Sequence, residues 1–121
     1  MEYESLVRHP STSMAGVEFV VARMSFGRRM ELMKRIRELA QRSEFSAAGE
    51  ALQDKMDAAV AAAEIDRLYV EWGLAEIKGL VLDGEPATAQ ALVTAGPEEL
   101  FREALEAVKR ECLLNEAERK N

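Results

Sequence analysis

Glu64, Asp66 and Glu71 gather around Arg67 in one helical stretch, and grouped carboxylates can do general acid–base work when their surroundings push their pKa values apart. Helical spacing to Arg67 gives them a simpler role as surface ion pairs. The other reactive side chains are solitary. His9 is the only imidazole and lies in a Pro/Ser stretch expected to lack fixed structure, so acid–base and metal chemistry lose their usual base and ligand. Cys112 is the only cysteine, which excludes an intrachain disulfide and a multi-cysteine metal site. It reads as a small core residue of the last helix. No phosphate-cradling glycine loop, nucleophile elbow or zinc spacing is present. The chemistry-bearing residues thus point away from catalysis, and they call for no cofactor and no metal. Six methionines are left, Met24, Met30 and Met33 among them, which suit either an adaptable partner-binding groove or ordinary core packing.

Charge adds a second constraint. The chain of 121 residues carries a net charge of −6, unevenly spread. Residues 1–42 hold eight Lys/Arg against five Asp/Glu, and the remainder eight against seventeen. The two parts can therefore attract each other, or copies of themselves. An acidic balance over most of the length argues against broad nucleic-acid binding, in which neutralised phosphates supply most of the affinity. No apolar run approaches the ~20 residues that a membrane span needs. The start, Met1 followed by the acidic Glu-Tyr-Glu-Ser, does not have the form of a signal peptide. A cytoplasmic protein is expected.

The elements that would position these residues follow from periodicity. The length favours one domain: a flexible N-terminal arm over 1–16, a globular domain over 17–114 and a polar tail over 115–121. Residues 17–24 (VEFVVARM) alternate like a strand. Ser25 is placed to cap a helix whose wide apolar face is Phe26, Met30, Leu32, Met33, Ile36, Leu39 and Ala40. Its other face carries Arg28, Lys34, Arg35, Arg37 and Arg42, with Glu31–Arg35 and Glu38–Arg42 in the favourable acid-first order. That face is either solvated or a docking surface for an acidic partner.

A break over 43–46 leads into an alanine-rich helix over 46–73, around which the remainder is expected to pack. Its first half puts Ala48, Leu52, Met56, Ala59, Val60 and Ala63 on one stripe. Its second half is apolar on two faces, with Ile65, Leu68, Tyr69 and Trp72 roughly opposite Val70, so it needs two partners. Gly73 is placed as a left-handed helix stop. A strand over 74–82, the turn dipeptide Asp83-Gly84 and a short return containing Pro86 come next. Thr88 caps a short helix, Pro97 opens another carrying Leu100, Phe101, Ala104, Leu105, Val108 and Cys112, and Asn115 with Glu118 could form a capping box for one more turn. The expected fold is mainly α, of the α+β class: three to four helices around one long central helix, with an N-terminal strand and a small β-hairpin.

The order of these elements, with VEFVVARMSFGRRMELMKRIREL, IDRLYVEWGL, GLVLDGEPAT, GPEELFREALEAVKREC and LNEAERKN, resembles the tail assembly chaperones of long-tailed phages and prophages over roughly residues 17–121. The resemblance implies a helper that coats the tape measure protein, recruits tail tube subunits, self-associates, and is often made in a short and a frameshifted long form. Lys120-Asn121 can be encoded by an A-rich slippery run, which fits the short form. The partner surface expected on this basis is Ile65, Leu68, Tyr69, Val70 and Trp72, with Arg28, Lys34, Arg35 and Arg37 as a second contact. A neck or connector protein of the virion, and a small inhibitor or adaptor binding a host protein through its acidic half, are the alternatives.

Overall fold

The β-branched stretch read as a lone strand is the middle of a sheet. In the computed structural model, which describes residues 1–120 and the side chains of all of them except residues 43, 45–47 and 113–120, β2 (Glu18–Ala22) lies between β1 (Leu6–Pro10) and β3 (Leu74–Lys78). Both neighbours are antiparallel to it. Residues 1–16 are therefore no free arm: Val7 pairs with Val21 and His9 with Phe19, and the ladder runs on through Arg23 N–H to Ser5 O at 2.8 Å. Arg8 and Pro10 sit on the outer strand, where a charge and a missing amide discourage a further strand from adding.

One face of this sheet builds the core. Val17, Phe19 and Val21 alternate onto it, Leu74 and Ile77 join them from β3, and all five are buried. Two helices complete the layer, α3 (Ala89–Ala95) and α4 (Glu98–Lys120), contributing Leu92, Leu100, Ala104, Leu105, Ala107 and Val108. Thr88 caps α3 as its sequence position predicts, its Oγ1 accepting from Ala91 N–H at 3.1 Å. The carbonyl of Pro97 accepts from Leu100 and Phe101, which starts α4. Asp83 and Gly84, with φ of 51° and 82°, turn the hairpin of β4 (Val81–Leu82) and β5 (Glu85–Pro86).

Between β2 and β3 the chain inserts two helices, α1 (Phe26–Ala47) and α2 (Leu52–Gly73). The protein is thus α+β, but it forms two compact units where one domain is expected: Met1–Met24 with residues from Tyr69 onward, and Ser25–Leu68. Only the last turn of α2 belongs to the first unit. The break between the helices lies at residues 48–51, later than the 43–46 expected, because Gly49 interrupts the helical run and nothing in Ser-Glu-Phe-Ser does. Ser25 caps α1, accepting from Arg28 N–H at 3.2 Å, and Glu31–Arg35 and Glu38–Arg42 pair at 2.8 and 3.7 Å.

Helix α2 is not the element around which the core is built. From it the core takes only Val70, with Tyr69 packed alongside. Gly73 is still helical and lacks the positive φ of a left-handed stop; it is small because a Cβ there would lie 2.5 Å from Val108 Cγ1. The close approach of α2 to α4 sets that position, and backbone conformation does not. Residues 115–118 continue α4, and the side chains of the capping box expected there lie outside those described.

Candidate functional site

The lone imidazole, His9, contacts a buried acid, Glu111. They lie 102 residues apart in sequence, with Nε2 3.1 Å from Oε1, and Glu111 is 9% exposed. Strand β1 fixes the first, since His9 is paired opposite Phe19, and α4 fixes the second. Beside them a cleft of about 300 Å³ is lined by His9, Thr12, Phe19, Glu103, Glu106 and Arg110, with Pro10 and Ala107 completing it.

Glu103 is held by hydrogen bonds from the protein itself. The β1–β2 loop closes over its carboxylate: Ser11 Oγ donates at 2.6 Å, Thr12 Oγ1 at 2.6 Å, Ser13 Oγ at 2.8 Å, and the amides of Thr12 and Ser13 at 2.8 and 3.1 Å. Partial burial alone would raise the pKa of this group; the three hydroxyls and the Thr12 amide outweigh it and bring the carboxyl down to about 2. The consequence for chemistry is negative. A serine or threonine nucleophile must hand its proton to a base, and these three hydroxyls are all committed to a carboxylate that holds the loop in place. Among the described residues, no three His, Cys, Asp or Glu side chains are grouped to hold a metal ion.

A second cleft, of about 680 Å³, lies on the sheet side of the same unit. Arg8, Arg23 and Lys78 face Glu4 and Glu76 around Val20 and Tyr3. Arg23 places its guanidinium 5.6 Å from the Tyr3 ring centre, and its Nε is buried with no hydrogen-bond partner among the described residues. Such a cleft suits an anion in kind, but two carboxylates share its lining.

The partner surface expected from the sequence is dispersed. Val70 is 0% exposed and has no surface to offer: it belongs to the core of the first unit. Tyr69 is half-buried, packed on that core with Lys109 Nζ 5.6 Å from its ring centre, and Trp72 is also half-buried. Ile65 and Leu68 are half-buried in the second unit. The chain runs from Gly73 straight into β3, and of this stretch Val70, with Tyr69 packed alongside, joins the core of the first unit. Of the basic face, Lys34, Arg35 and Arg37 are exposed, Arg35 paired to Glu31, and Arg28 is half-buried.

The exposed apolar surface is where the sequence reading placed core. On α2, Leu52 is 74% exposed, Met56 60% and Val60 58%, with Ala59 and Ala63 exposed between and after them. On α1, Phe26, Met30 and Met33, three and four residues apart on one face, are 70%, 42% and 55% exposed. Within Ser25–Leu68 the described hydrophobic side chains in the buried class are Leu32 and Ala61 alone. The apolar stripe expected on α2 is exposed from Leu52 to Ala63, while Ala61, which is not on it, is buried; periodicity does not tell whether this chain supplies a cover.

Among the described residues no helix is long and apolar enough to cross a membrane. Comparison of the chain with protein-family models, with curated proteins and with solved structures returns no match.

Proposed function

We propose that the protein is a non-enzymatic assembly factor of the tail assembly chaperone kind, which binds the tape measure protein through its inserted helices and brings tail tube subunits to it in the cytoplasm of a bacterial host. One observation carries the reading: the inserted helices present six large apolar side chains to solvent, Phe26, Met30, Met33, Leu52, Met56 and Val60, while within residues 25–68 the described hydrophobic side chains in the buried class are Leu32 and Ala61. Two helices of 22 residues are about 33 Å long each. Helices gain most of their stability from packing an apolar face, and contiguous exposed stripes of this kind mark protein-binding surfaces. Three of the six are methionines, whose flexible thioethers adapt to varied helical partners. A long helical client offers the shape of surface these stripes fit.

Co-expression with a phage tape measure protein, followed by affinity capture, tests the proposal. A stable complex that is lost in a Met56→Asp/Val60→Asp variant, with the variant's own fold intact by circular dichroism, is the expected result. Failure to form that complex, or recovery of the protein as an abundant component of purified virions, would overturn it.

A further inference from the structure

The cleft on the sheet side of the first unit gathers charges of both signs and leaves them unneutralised. Strand register sets them out. Arg8, Val20 and Glu76 stand side by side across β1, β2 and β3, and Lys78 follows Glu76 two residues on, all on the face opposite the core. Arg23 and Glu4 border the same space, with the Tyr3 ring beside them. Among the described residues, none of these five charges makes an ion pair with another. The floor between them is apolar: Val20 is 5% exposed although it faces away from the core.

A bare polyanion would be repelled by Glu4 and Glu76, and a simple cation by Arg8, Arg23 and Lys78. A ligand that satisfies the whole lining carries an anionic group, hydrogen-bond donors for the carboxylates and a flat ring for the aromatic side chain. We infer that the cleft binds a nucleoside monophosphate. Arg8 and Lys78, long side chains on the two outer strands, receive the phosphate. Glu76, on the strand that carries Lys78, accepts from the ribose hydroxyls, as acidic side chains do in dinucleotide sites. Tyr3 is the platform for the base. Arg23 sits over its ring, and the side chain is still 66% exposed, which leaves surface on which a base can stack. Glu4 accepts from the amino edge of that base. Guanine presents a ring N–H beside its amino group and uracil has no amino group, so guanine is the favoured base. The cleft volume of about 680 Å³ lies within the roughly 300–1,000 Å³ of small-molecule sites. Every residue of the site belongs to the first unit, so it stands or falls apart from the function proposed for the inserted helices.

Titration of the full chain with GMP, followed by amide NMR shifts, tests the inference, with UMP, guanosine and inorganic phosphate as comparisons. Shifts should appear at Tyr3, Arg8, Val20 and Lys78 and saturate with a Kd below about 1 mM at low salt. UMP, guanosine and phosphate should each bind ~10-fold or more weakly. Tyr3→Ala and Arg8→Ala/Lys78→Ala should each weaken GMP by ~10-fold or more, with circular dichroism unchanged. Glu4→Ala should narrow the gap between GMP and UMP. Absence of shifts at these residues at ~10 mM GMP would overturn the inference, as would binding that both sets of variants leave unaffected. Phosphate binding as tightly as GMP would reduce the site to one for an adventitious ion only. A short guanine-containing RNA that binds ~10-fold tighter than GMP would overturn the free nucleotide as its ligand.

Discussion

Replacing Glu103 by Gln removes one charge and keeps the shape of the side chain, so it isolates what the Ser11–Ser13 loop gains from a carboxylate. The lowering of the pKa from 4.5 to about 2 corresponds, at about 1.36 kcal/mol per unit, to a ceiling of roughly 3 kcal/mol. Glu103 lies near the surface of α4, where water screens the interaction and would replace part of it, so the expected loss is about 1–2 kcal/mol. Because the folded carboxyl ionises more readily than the unfolded one, its contribution is complete above about pH 4.5 and disappears as the pH falls toward 2. Urea unfolding followed by fluorescence of Trp72, the single tryptophan, reports on the unit that contains Glu103. Wild type and E103Q should differ by about 1–2 kcal/mol at pH 7 and converge near pH 2. Equal stabilities at pH 7, or a difference unchanged in acid, would refute the reasoning that hydrogen bonds to an ionised carboxylate hold this loop.

Further substitutions probe other parts of the fold. Val70→Ala, at a fully buried position, should cost about 2–3 kcal/mol, whereas Val60→Ala in the same helix should fall within about 0.5 kcal/mol in the dilute monomer; thermal unfolding compares them directly. Gly73→Ala drives a methyl into Val108 and should cost about 1–3 kcal/mol, with the smaller Val108→Ala partly rescuing it in a double-mutant cycle. His9→Ala leaves Glu111 buried beside an empty space where the imidazole was, and should lower stability at pH 7 by about 1–3 kcal/mol, read as a shift in the denaturant midpoint.

Features governed by neighbouring residues were legible in the sequence. The caps at Ser25 and Thr88, the Asp83-Gly84 turn, the start of α4 at Pro97 and the paired charges on α1 all depend on contacts within a few residues, and all stand as read. The missed elements depend on distant ones. In β1 the alternation of Leu6, Val7, Arg8 and His9 is short and ends at a proline, so the strand declares itself only through β2 and through Glu111 at the far end of the chain. The Ser-Thr-Ser loop looks disordered until Glu103 is placed beneath it. The assignment of core and surface along α2 was inverted for a related reason: periodicity locates an apolar stripe but cannot count the surfaces available to cover it. Tyr69, Val70 and Trp72 are buried or half-buried where the chain runs on into β3, whereas Leu52, Met56 and Val60 are exposed.

Strands β2 and β3 are adjacent in the sheet, yet Val21 pairs with Leu74, so an entire two-helix segment must be spanned before that ladder can close. Loop closure costs entropy that rises with the logarithm of the span, and contacts this distant in sequence slow the folding step that forms them. The β1–β2 hairpin, closed by a short loop, should zip early and the β2–β3 ladder late. Replacing residues 25–68 by a tight turn should therefore speed refolding of what remains, measured as a steeper rise of Trp72 fluorescence in stopped flow. Natural helical content in the insert shortens the effective span, which ties how quickly the sheet is completed to how well ordered those two helices already are.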